Sequence, residues 1–165
     1  MQTFFRYNWM VREQWYEWCE EVSAEELLRP RIGGVGSLLQ TLLHIVDVEW
    51  SWIRMLQGKP DFQENFEEYR TLERVQELDR RFRPEVETFV AAWQDSMERR
   101  PFTEKRPDGS VVVDTWGEVM RHVIAHEIHH VGQLSVWARE LDRKPVSANV
   151  IGKGLIEPET TDEPN

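Results

Sequence analysis

An all-α four-helix bundle is the fold this sequence predicts, on three observations. Four long segments carry apolar residues at helical spacing, over 4–24, 37–57, 71–98 and 115–142. Capping signatures open two of them. Extended residues around a Pro-Asp-Gly turn are confined to one short stretch between the third and fourth. At 165 residues the chain predicts one domain over 1–150, followed by an irregular tail over 151–165.

The first helix contains the aromatic run FFRYNWMVREQW. A short helical turn follows at 24–29, after Ser23 with Glu26 at the capping position, and stops before Pro30. RIGGVGS then leads to the second helix. Ser37 opens that helix, with Gln40 three residues on, and Gly58 closes it with Pro60 beyond. The third helix is rich in charge, and its Glu-Arg, Asp-Arg-Arg and Glu-Arg-Arg clusters read as a solvated face. PFTEKRPDGSVVVD predicts a small hairpin or an ordered loop, so the connection between helices three and four is the longer, elaborated one. Thr115 opens the fourth helix, with Glu118 as its capping-box partner. After Pro145 the chain turns irregular, and EPETTDEPN has the composition of a disordered end. Eight Trp residues, several on the apolar faces, read as bulky core packing.

Composition excludes some functions. A net charge of -10, with no dense basic cluster, argues against a nucleic-acid partner. No apolar run reaches the length of a signal peptide core or a membrane span, so no membrane partner is expected and the cytoplasm is the expected location. Cys19 is the single cysteine, which fits a reducing compartment. Its neighbours Glu20 and Glu21 disfavour a thiolate, which argues against a catalytic cysteine. Gly33, Gly34 and Gly36 are not followed by Gly-Lys-Ser/Thr and make no phosphate loop.

The histidines carry the chemistry. On a helical projection, Trp116, Val119, Val123, Leu134, Trp137 and Leu141 share one face of the fourth helix. His126 lies at the edge of that face and His130 inside it, whereas His122 and His129 fall on the polar side with Gln133 and Glu140. His126 and His130 are one turn apart, with Cβ atoms roughly 5–6 Å from each other, so both can reach one metal ion. On the second helix His44 lies at the margin of the arc Leu38, Ile45, Val48, Trp52 and Met55, placed to complete the set across the core. Three neutral imidazoles leave coordination positions open, as at a reactive metal. Such ligands suit Zn, Ni, Cu or Fe alike. The plainer reading is core histidines satisfied by backbone or carboxylate.

Leu39, Leu43, Val46 and Trp50 form a second apolar arc on the second helix, which makes that helix either central or the contact of a homodimer. His126-Glu127-Ile128-His129-His130 also fits the short zinc-peptidase pattern, with Glu127 as base. The extended pattern fails, because Gln133 and Val136 stand at its downstream positions. Glu127 projects onto the apolar face, where a carboxylate is costly unless paired. It either orients a ligand histidine from behind or pairs with a basic or hydroxyl group on a neighbouring helix. Gly132 in mid-helix marks either a close approach by another backbone or a ligand, or tolerated slack.

Three runs occur in a known order: Tyr7-Asn8, then Leu42-Leu43-His44-Ile45 through Glu49 and Trp52, then His126 through Leu134. On these residues the chain resembles the DinB/YfiT-like family of bacterial four-helix-bundle metalloproteins, over residues 1–145. The resemblance implies an up-down-down-up bundle, a homodimer, and a divalent ion, zinc or nickel, on His44, His126 and His130. Relatives include mycothiol-dependent isomerases and bacillithiol S-transferases. A metalloenzyme is therefore expected, acting on a small-molecule substrate. It would activate a low-molecular-weight thiol for S-transfer or water for hydrolysis, with Gln133 as a hydrogen-bond partner near the pocket mouth. The rival expectation is a non-catalytic metal-binding stress-response protein. Haem between facing histidines is a third, disfavoured because two of the three share one turn. One departure is Val131, where the family often carries Arg.

Overall fold

The structure, a computed structural model, describes residues 1–61, 64–105 and 108–156. The described residues are mostly helical, with a small two-stranded sheet. The α-helices are α1 (Gln2–Glu20), α2 (Ala24–Leu28), α3 (Leu38–Leu56), α4 (Leu72–Ala91) and α5 (Trp116–Glu140). Between α4 and α5 lie a 3-10 turn (Asp95–Met97) and the antiparallel strands β1 (Pro101–Lys105) and β2 (Val111–Thr115), with Phe102 opposite Asp114. This is the elaborated connection that the sequence predicts. Of its Pro-Asp-Gly turn, Pro107 lies outside the described residues, as does 157–165 of the expected tail.

Caps set the helix starts. Ser23 Oγ accepts from the Glu26 N–H, so α1 ends at Glu20 and a new helix begins. Ser37 Oγ accepts from the Gln40 N–H at 3.1 Å. At α5 the box is reciprocal: Thr115 Oγ1 accepts from the Glu118 N–H, and Glu118 Oε2 accepts from the Thr115 N–H. Two helix ends differ from expectation: the first helix, expected to reach 24, ends at Glu20, and the larger difference is in helix three. Helix three is predicted to run to 98, yet α4 stops at Ala91. The apolar spacing continues through Trp93 and Met97, and no Gly or Pro marks the end. Trp93 turns into the core, Gln94 becomes extended, and the 3-10 turn follows. Tertiary burial ends this helix, and local sequence does not.

Both α1 and α3 pack on α4 and α5. Trp15, Leu39, Leu42, Ile45, Ile53, Leu78, Met120 and Leu134 are fully buried between them. All eight Trp residues are buried or packed against this core. Leu39, Leu43, Val46 and Trp50 are all buried within the chain, and Trp50 stacks on Phe82 with centroids 3.9 Å apart. The second arc of α3 is therefore covered by the chain's own helices and is not free to form a dimer contact. Cys19 is fully buried, and burial pushes its thiol up to about 12. Desolvation, more than the acidic neighbours, keeps it inert.

One cation joins the four long helices. Arg12 of α1 donates to Glu49 of α3 at 3.0 Å, to Asp79 of α4 at 3.2 Å, and to both oxygens of Glu127 of α5 at 2.9 and 2.6 Å. All four residues are buried. Tyr16 and Arg83 complete the satisfaction of Asp79, and Trp9 donates to Glu49. Burial alone would lower the Arg12 pKa, yet Glu127, Glu49 and Asp79 hold it well above its ordinary value. The solvated reading of the third helix thus fails at Asp79. Of the two expectations for Glu127, pairing with a basic group is the one observed.

After α5 the chain runs back along α1 without regular secondary structure. Trp18 donates to the Lys144 carbonyl, Tyr7 to that of Ala148 and Arg6 to that of Leu155.

Two predictions follow from this packing. Arg12→Met leaves buried Glu49 and Glu127 without their cation and Asp79 with Arg83 alone, and is expected to lower stability by about 3–5 kcal/mol. Urea unfolding followed by circular dichroism measures it, and a loss below about 1 kcal/mol contradicts the account. Gly132 is exposed, and a Cβ there would meet nothing within 4 Å. Gly132→Ala should stabilise the chain by about 1 kcal/mol through helix propensity; a loss in the same assay means that something outside the chain approaches this face.

Candidate metal centre

Two helices supply the site. The α5 backbone carries His126 and His130 one turn apart, and α3, packed alongside, brings in His44. His126 Nε2 lies 3.0 Å from His44 Nε2 and 3.1 Å from His130 Nε2. The three ligand-capable nitrogens all fall within 4.8 Å of one another. Nitrogens sharing a tetrahedral ion, at bonds near 2.0–2.1 Å, are about 3.3 Å apart. The two short separations approach that span, so the three residues could hold one ion. The donor set is wholly imidazole, with neither thiolate nor carboxylate among the three, which fits a borderline divalent transition metal.

The electrostatics favour the ligand form. Burial depresses all three histidines. His126 falls to about 3, through burial and then the neighbouring His130 and His44. Burial and His130 lower His44; burial lowers His130, with Gln133 opposing in part. Each is a neutral imidazole at neutral pH, with a lone pair available. His44 and His126 remain half-buried, so the group is reachable from solvent.

The surroundings are partly as expected. His122 and His129 are exposed, yet neither is remote. The His122 ring lies 5.9 Å from that of His126 and 5.5 Å from Trp52, and the His129 ring lies 5.2 Å from that of His130. Gln133 Oε1 is 2.7 Å from His130 Nδ1, and Gln133 Nε2 is 3.0 Å from His129 Nε2. Val131 is buried and offers no charge to the site. A cleft of about 270 Å³ opens beside His44, lined by Val35, Gln40, Leu43, Asp47, Val48 and Phe66 among others. Burial pushes the Asp47 carboxyl up to about 6, with Asp61 and Glu64 adding to the rise and the Glu64 backbone N–H opposing it.

Sequence reasoning assigned no role to Arg12, Glu49 or Asp79. The signal was present: Phe5, Asn8, Arg12, Trp15 and Cys19 repeat at helical spacing, which puts a guanidinium on the buried stripe of α1. A charge on an apolar stripe requires partners, and Glu49, Asp79 and Glu127 occupy the same kind of position on the other three helices.

The loop before α3 closes over this end of the site. Trp137 Nε1 donates to the Ile32 carbonyl, and a Cβ on Gly34 would come within 2.4 Å of the Trp137 ring and 3.1 Å of Gln133 Oε1. Gly34→Ala should therefore lower stability by about 1–3 kcal/mol, because a buried indole must shift. Thermal unfolding checks this, and an unchanged midpoint contradicts the tight packing.

Over 155 residues the chain is 48% identical to a Bacillus subtilis (strain 168) protein whose name is "Uncharacterized protein YizA", covering 94% of this chain and 96% of that one. The model of the DinB family matches residues 1–161. With a match across nearly its whole length, this chain belongs to the DinB family.

Proposed function

We propose that this protein is a metal-dependent enzyme in which His44, His126 and His130 hold one divalent ion, zinc or nickel, beside a small-molecule cleft. The observation that carries the reading is the convergence of three imidazole nitrogens, with His44 of that group lining the cleft. When bound, the ion supplies Lewis acidity that lowers the pKa of a low-molecular-weight thiol or of water.

The chain's own residues do the rest. Three uncharged ligands leave the positive charge of the site undiminished, which favours an anionic nucleophile there. Val35, Leu43, Val48 and Phe66 give the cleft apolar walls, while Gln40 and Asp47 offer polar groups to orient a substrate. S-transfer onto an electrophile is preferred to hydrolysis because of the thiol-dependent relatives. The peptidase reading loses its base, since Arg12 engages both Glu127 oxygens and that residue is 2% exposed.

The same reading includes an up-down-down-up order of the long helices within a single domain over 1–150, a homodimer and a cytoplasmic location. The first is supported by residue pairs that run the same way along α1 and α5 (Asn8–Ile124, Arg12–Glu127) and along α3 and α4 (Trp50–Phe82, Arg54–Glu85), and oppositely along α1 and α4 (Gln2–Ala91, Arg12–Asp79). A dimer contact would have to use a surface other than the covered arc of α3. Among the described residues no helix is long and apolar enough to cross a membrane.

The metal content of untagged protein, purified without chelator, tests the site by inductively coupled plasma mass spectrometry. About one zinc or nickel per chain is expected, lost in His126→Ala and in His44→Ala. Full occupancy in both variants sinks the triad. Stoichiometric metal with no thiol consumption across a panel of electrophiles favours the rival, a non-catalytic metal-binding stress-response protein.

A further inference from the structure

We infer that Gln133, held in place by His129, is a positioning residue that fixes His130 as its Nδ1–H tautomer and so presents the Nε2 lone pair to the other two histidines. The inference concerns the neutral ring and stands on geometry; its consequence for metal affinity rests on the proposed metal site.

A neutral imidazole has one N–H and one lone pair, and its surroundings decide which nitrogen carries the proton. At His130 the two nitrogens face different neighbours. Nε2 looks towards His126 Nε2 at 3.1 Å, and Nδ1 contacts Gln133 Oε1 at 2.7 Å. An amide oxygen only accepts, so the shorter contact requires the proton on Nδ1. The outcome therefore depends on which way the Gln133 amide is turned. Its NH2 end lies 3.0 Å from His129 Nε2, to which it can donate. The loop before α3 passes near its oxygen, since a Cβ on Gly34 would come within 3.1 Å of it. Gln133 is thus held from two sides, with its acceptor turned to His130.

Histidine ligands commonly donate their outer N–H to a carboxylate, carbonyl or water, and loss of that partner costs 10–100-fold in affinity. The nearby carboxylate, Glu127, is taken by Arg12. A neutral amide fills the role instead. It orients the ring without adding negative charge behind it.

The test uses metal-free protein and long-range 1H–15N correlation spectra of the histidine rings, at a pH above the ordinary histidine range. In wild type, His130 is expected as Nδ1–H, and Gln133→Leu should shift the ring towards Nε2–H. Zinc affinity, measured by competition with a chelating dye, should fall by about 10-fold or more in Gln133→Leu. Gln133→Glu keeps an acceptor and should restore both readouts, which a merely structural loss would not allow. An Nε2–H ring in wild type overturns the inference, as does an unchanged tautomer in Gln133→Leu. If wild type binds no zinc while His130 is Nδ1–H and responds to Gln133→Leu, the metal reading fails and the positioning role of Gln133 stands.

Discussion

Everything in this fold depends on one buried guanidinium. Four long helices could meet around an apolar core in several registers, because Leu, Ile and Val contacts tolerate sliding by a turn. Arg12 does not tolerate it. Its planar fork must reach Glu49, Asp79 and Glu127, one from each of the other three long helices. A shift of any helix by one turn would strand a carboxylate in a dry interior. The cluster adds less net stability than its charges imply, because desolvation opposes the attraction. Its effect is specificity, since one arrangement of the helices is much better than its neighbours.

That register is also what assembles the histidines. Glu49 lies five residues beyond His44 on α3, and Glu127 lies between His126 and His130 on α5. Fixing the carboxylates against Arg12 fixes the height of α3 relative to α5, and with it the meeting point of the three Nε2 atoms. Two kinds of electrostatics therefore share the same stretch of α5. Glu127 belongs to a sealed ionic network in which burial, Glu49 and Asp79 raise its pKa against the pull of Arg12. Its neighbours His126 and His130 belong to an uncharged group reachable from solvent.

Much of this was legible in the sequence, and the gaps have physical causes. Ser37 and Thr115 cap their helices as their spacing requires, since capping is a local matter. The three histidines were legible because helical projection and chain order both select them. The end of α4 was not, because Trp93 leaves the helix for a pocket that only the assembled core provides. Asp79 was misread for another reason: the run of charged residues around it masks the stripe of Val75, Leu78, Phe82 and Val86 on which it sits. The second apolar arc of α3 left two readings open, and only knowing what lies beside the helix decides between them.

The segment after α5 shows a different kind of encoding. Trp18, Tyr7 and Arg6 reach across to the carbonyls of Lys144, Ala148 and Leu155. Main-chain acceptors are present whatever residue occupies the position. The instructions for this path are thus written partly in α1 and partly in the segment itself, where Arg143 and Lys153 donate back to Glu21 and Gln14 and Val146 and Leu155 pack on the core. Between those anchors, substitutions leave the backbone bonds to Lys144, Ala148 and Leu155 intact, so this edge of the molecule can take on new surface chemistry on an unchanged frame.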